Sequence, residues 1–195
     1  RHALAVKEVN TPELYRWLGT LFPTSKIVWL VRDPYDVLDS YLDLQKPGSW
    51  NQRFGNSEAP LSPANVRRTA EHIRSCTLDA LEAYEAAAPE CRLRISYEEL
   101  LSDPVRSLQA CGDLTGVPVD TADAEAAVEA HRFSRHQQTG DLQFRRKGRA
   151  GVWKESANFT PEVLTIAQQI LGPLRGRLGY TDQAASPADT PELSS

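Results

Sequence analysis

The sequence predicts an α/β fold, a parallel sheet with helices between its strands, and three observations carry that prediction. Lys26-Ile27-Val28-Trp29-Leu30-Val31 is a continuous, β-branched apolar run, the pattern of a parallel strand covered on both faces. Arg92-Leu93-Arg94-Ile95-Ser96-Tyr97 alternates apolar and polar residues as a second strand would. Helical periodicity fills the intervening chain, and strands that alternate with helices make βαβ units.

The elements follow in order. Leu4-Ala5-Val6 is a short apolar run, and Thr11-Pro12-Glu13 has the cap, first-turn proline and acid of a helix start, the helix running to about Leu21. After the first strand, Asp33-Pro34 reads as N-cap and first helical residue, with Asp36 in the first turn and Val37, Tyr41 and Leu44 on one face. Lys46 to Leu61 is rich in Gly, Pro, Ser and Asn without a period, which predicts a surface loop or lid. Ser62-Pro63 restarts a helix, in which Val66, Ala70, Ile73, Thr77, Ala80, Leu81, Tyr84 and Ala87 keep helical spacing until Pro89. Beyond the second strand, Glu98 to Pro104 opens a helical region reaching about Thr115, and Thr121 to Ala130 is an Ala/Glu helix. Arg132 to Gly151 is basic and irregular, the kind of segment that carries function. Thr160-Pro161-Glu162 caps a last helix that buries Val163, Ala167, Ile170, Leu171 and Leu174 and ends before Gly176 and Gly179. The domain is expected to span residues 1–181, with 182–195 a disordered tail of Pro, Ser, Asp and Ala.

Composition limits the function classes. The chain has 195 residues, 41% hydrophobic and 25% charged, which suits one soluble domain. Twenty-two basic against 26 acidic residues give a net charge of -4, which speaks against binding nucleic acid through bulk positive charge, so any anion site is expected to be local and no nucleic-acid partner is expected. No run approaches the roughly 18 apolar residues of a membrane span, and no signal-peptide layout opens the chain. Cys76, Cys91 and Cys111 form no CxxC or Cys/His spacing, so no metal site is expected; free thiols fit a reducing compartment, and a cytoplasmic location is expected. A chain without Met that opens Arg1-His2-Ala3 reads as a piece of a longer protein.

Two segments carry candidate chemistry. Arg32-Asp33-Pro34-Tyr35-Asp36-Val37-Leu38-Asp39-Ser40 lies where a parallel strand ends and a helix begins, the edge at which open α/β sheets bind ligands. Arg32 offers a bidentate fork, Ser40 a hydroxyl, and the helix N-terminus free N–H groups, a set that suits phosphate. The other reading pairs Arg32 with Asp33 or Asp36 and leaves Ser40 facing solvent. In Phe144-Arg145-Arg146-Lys147-Gly148-Arg149-Ala150-Gly151-Val152-Trp153-Lys154, five cations are interleaved with two glycines that let backbone N–H groups approach an anion. A solvated basic loop is the alternative, as is a patch for nucleic acid, against which the negative net charge and sparse aromatic interleaving speak.

At these places the sequence resembles the sulfotransferases that use 3′-phosphoadenosine 5′-phosphosulfate. Their strand ends in Arg-Asp-Pro, followed by Asp-Val and a Ser eight residues past the Arg, as Arg32 through Ser40 does. A later family motif, Arg-Lys-Gly-x-x-Gly-Asp-Trp-Lys and then Phe-Thr, is matched by Arg146 through Lys154 and by Phe159-Thr160. Tyr97-Glu98-Glu99-Leu100 looks like the family's Tyr-Glu-Asp-Leu element. Two departures stand out: Val152 replaces the family's Asp, and Glu155-Ser156-Ala157-Asn158 is longer than the usual spacer.

The resemblance implies a P-loop-kinase-like three-layer fold, a parallel sheet flanked by helices, here truncated at the N-terminus because no strand with a phosphosulfate-cradling loop precedes Arg1. It implies that Arg32, Ser40, Arg146, Lys147 and Gly148 hold the 3′-phosphate of the donor, that Tyr97 touches the adenine, and that Phe133 stacks on it. Ordinary core packing is the alternative for Tyr97 and Phe133. Lys7 resembles a lysine that several branches place near the reacting groups, with a surface lysine as the alternative. The implied activity is sulfuryl transfer to a hydroxyl or amine of a small-molecule acceptor, without a metal, although this piece alone is expected to be inactive. A non-catalytic nucleotide-binding module and a truncated P-loop kinase are the competing readings.

Overall fold

The computed structural model describes residues 5–7, 13–47, 49, 61–131 and 148–181. Within them Ile27–Val31 forms β1 and Arg92–Ser96 forms β2, paired in parallel from Ile27 opposite Arg92 to Val31 opposite Ser96. In-register parallel pairing brings the residues that follow each strand, Arg32 and Tyr97, to the same edge. This pairing sets up the site.

Helix α1 (Glu13–Leu21) precedes β1, and α2 (Pro34–Leu44) follows it after the Asp33 N-cap, whose side chain accepts from the Tyr35 N–H. Helix α3 (Pro63–Ala86), capped by Ser62, returns the chain toward β2. After β2 come α4 (Tyr97–Ser102), α5 (Pro104–Thr115) and α6 (Thr121–Ala130), then a short 3-10 turn at Val152–Glu155 and α7 (Pro161–Arg177), capped by Thr160. The core joins Val31, Tyr35, Leu38 and Leu42 to Val66, Ala70 and Ile73 of α3 and to Ile166, Ala167, Leu171 and Leu174 of α7. Fully burying each large aliphatic side chain stabilises by roughly 1.5–3 kcal/mol, so this three-helix contact around the end of β1 dominates the molecule's stability.

Three expectations change. The strand β1 is covered on one face only: Val28 and Leu30 are 43% and 52% exposed, although Ile95, the register partner of Leu30, is buried where α5 packs on β2. On α2 the buried apolar stripe is Tyr35, Leu38 and Leu42, while Tyr41 is exposed and Val37 and Leu44 are half-buried. The Val37-Tyr41-Leu44 face points away because Asp36, Asp39 and Asp43, all buried, occupy the flank beside the core stripe. Finally, α7 continues past Gly176 to Arg177, since Leu174 and Leu178 are both buried, and the left-handed turn falls at Gly179 with φ 82°. The expected tail, most of the Lys46 to Leu61 loop, and Phe133, Arg146 and Lys147 lie outside the described residues.

Candidate functional site

Arg32 leaves the end of β1 directly before the α2 cap, so its side chain projects at the carboxyl edge of the sheet. Its guanidinium carbon stands 4.6 Å over the ring of Tyr97, the residue that follows β2. A planar cation over an aromatic face is attractive by about 0.5–2 kcal/mol, more when partly desolvated. Tyr97 is held by a reciprocal cap: Ser96 Oγ accepts from the Glu99 N–H, and the Glu99 carboxylate accepts from both the N–H and the hydroxyl of Ser96. The backbone bond from Ser96 is the leading cause that holds the Glu99 carboxyl below its usual range.

The third side comes from far along the chain. Arg32 Nη2 donates to the carbonyl of Arg149 at 3.1 Å and lies 3.4 Å from Asp36 Oδ2. The same Asp36 carboxylate, 1% exposed, accepts from the N–H of Gly151 at 2.8 Å and of Trp153 at 3.0 Å. A buried carboxylate is costly unless charge-assisted bonds offset its desolvation, and these two N–H groups with the Arg32 charge supply them. Farther along α2, Asp39 accepts from Ser156 and from Asn158 Nδ2, which also donates to Asp43. Gly151, at φ 71°, supplies the left-handed residue that turns this segment into the 3-10 turn.

Only Nη2 of Arg32 is taken by these partners, and its buried Nε has no hydrogen-bond partner among the described residues. An arginine with five N–H donors therefore keeps donors for an anion. The second arginine nearby differs: Arg175, 5% exposed, grips Asp33 through two parallel bonds of 2.9 and 3.0 Å and stacks 4.1 Å over Tyr35. It locks α7 to the turn that begins α2.

Of the residues expected at the site, the structure brings Arg32 and Tyr97 together, and Arg149, Gly151 and Trp153 of the later segment reach the same cluster. Ser40 is exposed and neighbours Asp36 around α2, one turn on. Lys7 is exposed, and among the described residues no hydrogen bond or ion pair ties it to the Arg32 cluster. Sequence reasoning had offered Arg32–Asp36 pairing and phosphate binding as rivals, and the pair does form. It missed the three aspartates as loop anchors, as well as Ser156, Asn158 and Arg175. The available signal was the i, i+3, i+7 repeat of Asp36, Asp39 and Asp43 beside the apolar stripe.

Comparison with known proteins adds three findings. A family model described as the sulfotransferase family matches residues 3–121. No curated protein matches the chain. A crystal structure of retinol dehydratase in complex with androsterone and inactive cofactor PAP superimposes with a TM-score of 0.54 at 21% identity, covering 87% of this chain and 51% of that one. At that identity the likeness is one of fold, and the chain spans about half the length of that protein.

Proposed function

The chain belongs to the sulfotransferase family, and from that premise we propose that it binds 3′-phosphoadenosine 5′-phosphosulfate and serves sulfuryl transfer to a hydroxyl or amine of a small acceptor. The observation that carries the reading is the convergence of Arg32, Tyr97 and the Arg149–Trp153 segment at the carboxyl edge of β1. In the proposal, Arg32, Ser40, Arg146, Lys147 and Gly148 hold the 3′-phosphate, while Tyr97 and Phe133 contact the adenine. The donor set fits: among the described residues Arg32 Nε has no hydrogen-bond partner, and Arg149 of the glycine-bearing basic motif lies against Arg32 Nη2. The PAP and the androsterone of the retinol dehydratase complex support a nucleotide of this kind and a small acceptor.

The transfer itself is an in-line displacement. The acceptor oxygen or nitrogen attacks sulfur as the bond to the phosphate oxygen breaks, a base takes the acceptor proton, and cations stabilise the leaving phosphate. Lys7 is proposed as the cation near the reacting groups. The role of Arg32 is to orient the nucleotide by its far phosphate, so that binding energy remote from sulfur is used to align the attack. No helix among the described residues is long and apolar enough to cross a membrane. Among the described residues Cys76, Cys91 and Cys111 form no disulfide, which supports the proposed cytoplasmic location.

Calorimetric titration with 3′-phosphoadenosine 5′-phosphate and with adenosine 5′-phosphate tests the reading. Charge-assisted contacts contribute about 1.5–3 kcal/mol each, so two of them predict at least about 100-fold preference for the 3′-phosphorylated nucleotide. Equal affinities would reject it.

A further inference from the structure

Asp36, Asp39 and Asp43 recur at i, i+3 and i+7 on α2, with exposures of 1%, 2% and 7%. Three buried acids on one helix cost desolvation and repel one another, and α2 does not need them to pack, because Tyr35, Leu38 and Leu42 already face the core. What they hold is a segment 115 to 119 residues away: Gly151 and Trp153 on Asp36, Ser156 and Asn158 on Asp39, Asn158 again on Asp43. Ser156 and Asn158 belong to the spacer that is longer here than in the family motif, so this chain's departure is accommodated by the same acidic stripe.

Asp36 differs from the other two. Its Oδ2 accepts from Gly151 while facing Arg32 Nη2, and Arg149, two residues before Gly151, offers its carbonyl to that same Nη2. One carboxylate thus fixes the guanidinium and the loop main chain relative to each other. We infer that Asp36 is a positioning residue for reading the nucleotide 3′-phosphate, an inference that rests on the function proposed above, with Asp39 and Asp43 anchoring the far end of the segment. Asp36 orients Arg32 in advance, so the ordering cost is met in folding rather than on binding.

The sign of the effect separates positioning from simple electrostatics. Removing a negative charge beside an anion site strengthens anion binding through space, whereas releasing Arg32 and the loop weakens it. The test is to titrate the chain and its Asp36→Asn variant with 3′-phosphoadenosine 5′-phosphate and adenosine 5′-phosphate, following thermal unfolding in parallel. The expected result is a fall of about tenfold or more in the affinity ratio between the two nucleotides. A merely structural role lowers the unfolding temperature and leaves the ratio intact. A ratio unchanged or raised in a folded Asp36→Asn protein overturns the inference while the proposed function stands. A ratio near one in the unaltered chain removes the proposed function and this inference with it. If Asp36→Asn does not fold, Gly151→Ala decides by the same ratio: its added Cβ meets open space, but its φ of 71° strains the loop at the other end of the Asp36 bond.

Discussion

Arg32 and Arg175 flank one turn of chain and answer to different forces. Arg175 is buried, doubly bonded to Asp33 and stacked on Tyr35, with Trp153 5.4 Å away on its other contact. Cutting one partner from a buried pair leaves the other charge uncompensated, which costs about 3–5 kcal/mol. Arg175→Ala is therefore expected to lose most of that amount in urea unfolding. Arg32 has a side chain 28% exposed, and its 3.4 Å pair with Asp36 is looser. Arg32→Ala is expected to cost less than Arg175→Ala, because the Gly151 and Trp153 N–H groups still bond the Asp36 carboxylate, while abolishing preference for the 3′-phosphate. A stability loss larger for Arg32→Ala than for Arg175→Ala would reverse this division of labour.

At the level of elements, the end of α7 is tied to the start of α4. Tyr180 donates its hydroxyl to Glu98 at 2.7 Å, and Arg94 of β2 donates to the Leu178 carbonyl at 2.5 Å. Burial first, then the bond to Glu98 and its negative charge, push the Tyr180 hydroxyl well above the usual tyrosine range. A group whose folded pKa is raised stabilises fully below its unfolded value, about 10 for tyrosine, and loses that contribution as pH rises beyond it. Unfolding followed from pH 8 to above 10 is expected to show falling stability that Tyr180→Phe flattens in slope. An identical slope in the variant would mean that another group titrates.

Much of this level was legible in the sequence. Asp33-Pro34, Ser62-Pro63 and Thr160-Pro161 announce helix starts through chemistry that is local, and the structure has α2, α3 and α7 beginning there. The faces of α2 were not legible. The i, i+3, i+7 repeat of Asp36, Asp39 and Asp43 marks the stripe, but its burial depends on Gly151 to Asn158 folding back across it, which no local pattern encodes. The end of α7 was misjudged because Gly176 invites a stop, yet the buried Leu178 lies beyond it.

Across the whole molecule, the decisive property is that two motifs far apart in sequence meet at one sheet edge. The placement of Arg32 and Tyr97 at that edge was legible, since each directly follows a strand read from the sequence; the convergence of Arg146, Lys147 and Gly148 with them stays a proposal. Which sheet face is covered was not legible, because the apolar run Ile27–Val31 reads the same whether or not Val28 and Leu30 have neighbours. The central claim is that Arg32 reads a nucleotide phosphate at this edge, and a crystal structure of the protein with 3′-phosphoadenosine 5′-phosphate tests it most directly. The account predicts 3′-phosphate oxygens about 3 Å from the Arg32 nitrogens and from the Ser40 hydroxyl, with the adenine against Tyr97. A nucleotide bound with its 3′-phosphate away from Arg32 would contradict it.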